Sequence, residues 1–425
     1  MFRVDYGKPV NHDEPIVNLF TNEAVMNDSR PSATPTLPVS ASVSPARRGF
    51  IRVIGSSAVI AAAVPTLPGC SAMPDAATEA WFLAGRGEET RRRLLSWAIL
   101  APNPHNLQPW TVELPADGSI VLFSDPTRTL PMTDPPSRQL TIGHGAFLEL
   151  LSMAAAAEGL RAEIEPFPAG EPGPERLDAR PIARVRLRRD GIRPDPLFAM
   201  AGARTTWKKP FAARAVAPEA LAALQAAATR PGVAASGTQD PARVAALNDV
   251  MVRAWEIEQR TPRTWKESVD LTRVGAAEIA RHRDGISLGG PLMELLRLAG
   301  QMTPEKAMDP NSTYFTSGID RVRAWAPATG TWLWLRTAAD GRVPQLEAGR
   351  AFVRLQLQAA ALGLVTQPPS QVLQEYPEMR ALQREFKTLV GQRAGEKVQM
   401  LVRVGHPDGK AVRSPRRALQ DLIRA

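Results

Sequence analysis

The chain has 425 residues, 44% of them hydrophobic and 22% charged, which is enough for two globular units around a large core. Its formal net charge of +9 is scattered, and no basic run carries the interleaved aromatics that stack bases. A nucleic-acid partner is therefore not expected, whereas a smaller anion such as a phosphate-bearing cofactor fits the positive field. A single cysteine, Cys70, and five histidines without H-x-x-x-H or H-E-x-x-H spacing argue against an intrachain disulfide, a zinc cluster or an iron–sulfur site.

Residues 1–46 are polar, with a Pro/Ser/Thr-rich stretch from Pro31 to Pro45, the composition of a disordered extension; Met26 offers an alternative start. Residues 47–71 read as an export signal: Arg47-Arg48-Gly49-Phe50-Ile51-Arg52, then an apolar run from Val53 to Val64 too short to span a bilayer. The paired arginines resemble the twin-arginine signal, which implies passage of a folded, cofactor-loaded protein through the twin-arginine translocase to a periplasmic or extracytoplasmic place. Leu67-Pro68-Gly69-Cys70 resembles a lipoprotein box, with Pro68 where a small residue is usual. The alternatives are lipidation at Cys70 and plain cleavage near Ala72.

The globular part divides into a first repeat over residues 72–200 and a second over 201–425. In the first, Glu88 to Ile99 reads as an amphipathic first helix, Trp110 to Phe123 as a hairpin around Ala116-Asp117-Gly118, and the Ala/Leu-rich run from Gly145 to Gly159-Leu160 as a buried helix with a glycine C-cap. An alternating strand follows from Ile182 to Leu187. In the second, a proline-led helix runs from Pro218 to Ala228, and a second Ala/Leu-rich helix runs from Gly349 to Gly363-Leu364 at the same spacing. Its strand follows from Val398 to Val404. The recurrence of helix, Gly-Leu and strand points to an internally duplicated α+β chain. Residues of about 253–331, with Trp255, Trp265 and the Gly285 to Gly290 loop, have no counterpart in the first repeat. They form either a lid-like cover over a site or a solvated excursion.

Three motifs carry chemistry. Ala101-Pro102-Asn103-Pro104-His105-Asn106-Leu107-Gln108-Pro109-Trp110 is a rigid loop whose amides and backbone could edge a flat heterocycle. Arg204-Thr205-Thr206-Trp207-Lys208 sets a guanidinium, a hydroxyl and an ammonium at alternate positions, a donor set for phosphate. Arg413-Ser414-Pro415-Arg416-Arg417 closes the chain with three more cations. Taken alone, each also reads as a turn or a solvated cationic segment.

Together these motifs resemble the nitroreductase superfamily, in particular its two-repeat, Acg-like FMN-binding branch. The first is similar to A-P-S-x-x-N-x-Q-P-W, with Asn103 in place of Ser. The second is similar to R-x-S-x-[RK], with Thr206 in place of Ser. The resemblance implies a nitroreductase-like pseudo-dimer in one chain, holding one FMN between its halves. It places Asn103, His105, Asn106 and Gln108 along the flavin, and Arg204 and Thr206 at its phosphate end. Lys208 comes near N1 and O2, Ser370 of the Gln367–Gln371 loop near N5, and Arg416, with Arg413 or Arg417, on the phosphate. His105 is either a proton donor or a structural hydrogen-bonding residue.

The implied function is FMN-dependent two-electron reduction of a nitroaromatic or quinone-like acceptor; the electron donor is open, with NAD(P)H one candidate. The rival readings are a non-enzymatic FMN-sequestering protein with an occluded flavin and a lipid-anchored interaction protein without cofactor. The chain is expected to act as a monomer or to pair again as a homodimer.

Overall fold

The computed structural model describes residues 73–424. The expected extension over residues 1–46, the alternative start at Met26, the expected export signal over residues 47–71 and the lipobox-like segment at Cys70 lie outside the described residues. The first half contains α1 (Asp75–Leu83), α2 (Thr90–Ala98), β1 (Trp110–Glu113), β2 (Ile120–Ser124), α3 (Arg138–Ala157), β3 (Leu160–Pro166) and β4 (Pro181–Arg189). The second begins with α4 (Pro218–Ala228) and β5 (Val233–Thr238). An excursion follows, made of α5 (Pro241–Arg260), α6 (Pro262–Asp270), β6 (Thr272–Val274), α7 (Ala276–His282), β7 (Ile286–Leu288), α8 (Pro291–Leu298), α9 (Pro304–Met308) and α10 (Thr313–Trp325). The half closes with β8 (Thr331–Thr337), α11 (Arg342–Ala361), β9 (Val365–Gln367), α12 (Arg380–Leu389) and β10 (Lys397–Gly405).

The duplication is visible in the sheets. One runs β1-β2-β4-β3 and the other β5-β8-β10-β9, each antiparallel throughout. In both, an inner strand leads into a 20-residue helix that ends at a glycine with positive φ, Gly159 or Gly363. The left-handed C-cap expected at both Gly-Leu pairs is present. The hairpin, the proline-led helix and the two alternating strands also fall where the sequence puts them.

Three expectations need correction. A helix, α1, precedes the one expected to be first. The two central helices begin at Arg138 and Arg342, each the same distance ahead of the glycine that opens the apolar run. The excursion's α5 begins at Pro241, ahead of Arg253. Charge hides the true helix starts: Arg138 and Arg342 are both buried, because their guanidiniums donate to backbone carbonyls. Arg138 donates to Gln399 O at 2.9 Å and Leu373 O at 2.6 Å; Arg342 donates to Pro136 O and Gly173 O, both at 2.7 Å.

Helices α3 and α11 pack against each other at the centre. By composition and length α3 could cross a membrane, but it is almost wholly buried inside the protein. Each half's core borrows from the other's central helix. Leu346, Val353 and Leu357 of α11 join the first core, and Ile142 of α3 joins the second. The crossing is made by glycine on both sides. A Cβ on Gly145 would lie 2.7 Å from the Leu346 carbonyl carbon, and one on Gly349 would lie 2.8 Å from that of Ile142.

The outer faces of the sheets explain why only one half carries an excursion. Strand β8 alternates Trp332 and Trp334 with Leu333 and Leu335, all buried. The leucines face α4 and α11, and the tryptophans face α5, α10 and α12. In the first sheet the outer face is charged, with exposed ion pairs Arg186–Glu165 and Arg188–Glu163.

Alanine at Gly145 or Gly349 gains about 1 kcal/mol of helix propensity but forces an overpacked contact costing about 1–3 kcal/mol against a rigid backbone. Either substitution should lower the urea midpoint. An unchanged or raised midpoint would mean that the crossing does not require glycine.

Candidate functional site

The site forms where the 101–110 loop, the 204–208 segment, the chain terminus and the excursion meet. The loop joins α2 to β1. Prolines restrict its backbone, and His105, Asn106 and Gln108 all take positive φ (50°, 53° and 52°), a conformation that costs a non-glycine residue about 1–2 kcal/mol. Half of the positive-φ non-glycine residues among the described residues lie in this loop, and strain held by its surroundings is characteristic of functional sites.

Its polar side chains supply the restraint. Asn103 Oδ1 accepts from Gln108 N at 2.7 Å, and Asn103 Nδ2 donates to Ala101 O at 3.1 Å. Asparagine therefore staples the loop where the family pattern has serine. Gln108 Nε2 donates to Arg283 O at 2.9 Å, and Gly285 N donates to Asn106 O at 3.1 Å, which ties the loop to the excursion. Asn106 Nδ2 donates to Pro415 O at 3.1 Å and Arg417 N donates to Gln108 Oε1 at 2.8 Å, which ties it to the terminus. His105 Nε2 lies 3.0 Å from Ser268 Oγ.

Arg204 and Arg416, from the two ends of the second half, come together. Both are buried. Arg204 Nη2 and Arg416 Nη2 donate to the same carbonyl, Leu100 O, at 2.9 and 3.0 Å. Both guanidiniums lie against the Trp81 ring, at 5.5 and 5.3 Å from its centroid, a cation–π contact that weakly offsets their charge. Arg204 Nη1 also donates to Gln356 Oε1 at 3.1 Å and Arg416 Nη1 to Asn106 Oδ1 at 2.5 Å. The Nε of each is buried without a hydrogen-bond partner. Burial lowers the Arg204 pKa to about 10; burial and the neighbouring Arg204 charge lower that of Arg416.

Lys208 and Arg321 extend the positive region. Lys208 is open to solvent, yet desolvation, helped by Arg321 and Arg416, lowers its pKa to about 8, the pattern of a group in a cleft. No carboxylate contributes to the pKa of Arg204, Lys208, Arg321 or Arg416, and none of the four makes an ion pair among the described residues. Burying cations without a counter-charge costs several kcal/mol per ion (about). Such a cluster is suited to an anion carrying more than one negative charge.

The remaining expected residues lie around this centre. Thr206 forms a parallel bridge with Thr366 of β9, and Trp207 N donates to Thr366 O at 2.9 Å, so the 204–208 segment lies along the strand that leads to Ser370. Ser370 O accepts from Leu373 N at 2.9 Å in a short turn. Arg413 is exposed over Phe82, at 4.6 Å. Arg417 is bound through its guanidinium to Asp421 O at 3.2 Å. Of the three terminal arginines, Arg416 alone shares a carbonyl with Arg204. The terminus reaches the first half by its own contacts: Trp81 Nε1 donates to Ser414 O at 2.8 Å, Arg416 N donates to Ala77 O at 2.9 Å, and Ile423 bridges Val112 of β1.

Sequence reasoning missed Trp81, Gln356, Arg321, Ser268 and Glu258. Trp81 lies in a short helix near the start of the described residues, and the others lie on helices where they read as ordinary polar positions.

No family model matches the chain. The chain is similar to a Mycobacterium tuberculosis protein named "Putative NAD(P)H nitroreductase Rv3131", 28% identical over 347 residues that cover 79% of this chain and 91% of that protein. A second from the same species, "Putative NAD(P)H nitroreductase acg", is 41% identical over 71 residues, 17% of this chain and 21% of that one. Among solved structures, an FMN and NADPH-dependent nitroreductase from sphigopyxis sp. strain HMH covers 54% of this chain and 99% of its own at 14% identity and a TM-score of 0.35. An FMN-bound nitroreductase from Bacteroides fragilis covers 53% and 95% at 12% identity and a TM-score of 0.31. These two structural likenesses are too slight to argue from. The duplicated α+β arrangement is the one the motif resemblance implies.

Lys208 is cationic below about pH 8 and neutral above it, whereas an FMN phosphate, with a second pKa of about 6, is fully charged above about pH 7. FMN affinity, followed by flavin fluorescence quenching, should therefore fall as pH rises past 8, and Lys208→Met should abolish that fall. Wild-type affinity that stays flat from pH 7 to 10 would remove Lys208 from the site.

Proposed function

We propose that the chain is an FMN-dependent oxidoreductase of nitroreductase type, holding one FMN per chain between its two halves and reducing nitroaromatic or quinone-like acceptors by two electrons. The observation that carries this reading is the Arg204–Arg416 pair: two buried guanidiniums on one carbonyl, each with an unpartnered Nε and neither with a carboxylate. A phosphate dianion supplies the missing charge and the acceptors for both orphaned N–H groups. The similarity to the M. tuberculosis protein "Putative NAD(P)H nitroreductase Rv3131" along most of the chain supports it.

In this reading Arg204, Thr206 and Arg416 hold the phosphate, and Arg413 and Arg417 add to the field around it. The strained loop with Asn103, His105, Asn106 and Gln108 sets the shape of the ring site, with Ser370 opposite. Lys208 places positive charge beside the electron-rich edge of the ring and favours its negatively charged forms. When bound, FMN supplies hydride acceptance and donation, chemistry that no side chain here provides. His105, whose pKa is lowered to about 4 by burial and by Lys208, is neutral at pH 7 and can carry a proton without adding charge. NAD(P)H is the proposed donor, in keeping with the names of the relatives.

Export through the twin-arginine translocase is part of the proposal, because that route carries proteins with cofactor already in place. Lipid attachment at Cys70 and pairing into a homodimer are compatible with it. Replacing Arg47 and Arg48 by Lys should leave folded, flavin-loaded protein in the cytoplasm; normal export of that variant would refute the twin-arginine route.

Arg204→Ala should weaken FMN binding about 10- to 100-fold, the value of a charge-assisted hydrogen bond of about 1.5–3 kcal/mol. In wild type, anaerobic NADPH should bleach the bound flavin, and a quinone or nitroaromatic should restore its colour. Bound flavin that NADPH cannot reduce would point to sequestration, and unchanged affinity in the Arg204 variant would overturn the phosphate assignment.

A further inference from the structure

Two buried polar residues of the excursion, Ser268 and Glu258, take no part in the proposed cofactor contacts and continue a polar chain inward from His105. His105 Nε2 lies 3.0 Å from Ser268 Oγ, Ser268 Oγ lies 2.9 Å from Glu258 Oε1, and Gln374 Nε2 donates to Glu258 Oε2 at 2.9 Å. Ser268 is on α6 and Glu258 on α5, and both are buried. Two helices of one half thus present a hydroxyl and a carboxyl to the strained loop of the other.

No cation compensates Glu258. The groups that face it are Ser268, Gln374 and Gln371, which favour its charged form, and Glu267, which opposes it; burial dominates and raises its pKa. The Tyr376 hydroxyl is near enough for Glu258 to raise its pKa in turn. Facing His105 are Ser268 and Lys208, and its Nδ1 has no hydrogen-bond partner among the described residues.

We propose that Glu258, Ser268 and His105 form a proton relay, in which the carboxyl of the excursion supplies through Ser268 the proton that His105 gives to the reduced acceptor; this rests on the oxidoreductase reading above. In the loaded state Glu258 Oε1–H donates to Ser268 Oγ, the Ser268 hydroxyl donates to His105 Nε2, and Nδ1 carries the imidazole proton. When an acceptor oxygen that has gained two electrons lies at Nδ1, the Nδ1–H bond breaks and an O–H bond forms on the acceptor. Nε2 takes the Ser268 proton, and Ser268 takes that of Glu258. No electrons travel along the relay, and the negative charge left behind resides on Glu258. Water in the emptied cleft returns a proton by the reverse route. His105 is the catalytic residue of this chain; Ser268 and Glu258 act through it.

The two states of the relay differ in imidazole tautomer, which 15N NMR of histidine-labelled protein reads without any cofactor. Wild type should change His105 from the Nδ1–H to the Nε2–H form as pH rises and Glu258 ionises. Glu258→Gln keeps a donor toward Ser268 and an acceptor toward Gln374, and should hold the Nδ1–H form at every pH. Ser268→Ala, which breaks the connection at its middle, should also abolish the pH-driven change. A wild-type tautomer that ignores pH, or a change that persists in Glu258→Gln, would overturn the relay.

With FMN bound, Glu258→Gln should slow quinone reduction by about 100-fold or more, the usual range for a lost general acid, yet reduce ferricyanide, which takes an electron and no proton, at the wild-type rate. Equal losses with both acceptors would assign Glu258 a structural role and refute the relay. Wild type that reduces neither acceptor would sink the oxidoreductase reading itself, whereas normal quinone turnover in the Gln variant would sink the relay alone.

Discussion

Where α3 crosses α11, each helix sets a glycine beneath a carbonyl of the other, Gly145 under Leu346 and Gly349 under Ile142. Side chains larger than hydrogen would push the helices apart, and each core depends on residues lent by the opposite helix. The close approach therefore holds the two halves as one body. It also fixes the relation between elements far apart in sequence: the loop after α2, the 204–208 segment alongside β9, and a terminus that returns to α1 and β1.

That arrangement concentrates like charge. Arg204 and Arg416 share one carbonyl and one aromatic ring, Lys208 and Arg321 stand nearby, and no carboxylate compensates any of them. Glu149, by comparison, is buried against three arginines, Arg230, Arg350 and Arg354. The convergence of four cations in one place, rather than the burial of any one of them, suits the cluster to an anionic ligand. The excursion contributes from the other side, covering the aromatic outer face of the second sheet and bracing the loop through Gln108, Asn106 and His105.

Much of this was legible in the sequence. The Gly-Leu pairs announced two helix ends because a left-handed C-cap selects glycine, and the alternating strands and proline-led helix carried their own periodicity. The starts of α3 and α11 were hidden because their first residues, Arg138 and Arg342, are polar yet buried on backbone carbonyls. Strand β9, three residues long, is held by its pairing with β10 and by the bridge to Thr206, contacts that leave no local pattern. In the site, motif resemblance singled out Arg204 and Arg416, but only the folded chain shows them on one carbonyl. The Trp81 platform and the Glu258–Ser268 connection arise from tertiary packing alone.

The most direct measurement is the number of FMN molecules bound per chain, obtained by anaerobic titration of the flavin-free full chain with FMN and calorimetric or fluorescence readout. One FMN per chain, in a monomer or a homodimer alike, is the result required by a site assembled from both halves. No binding, two FMN per chain, or one FMN shared between two chains would contradict it.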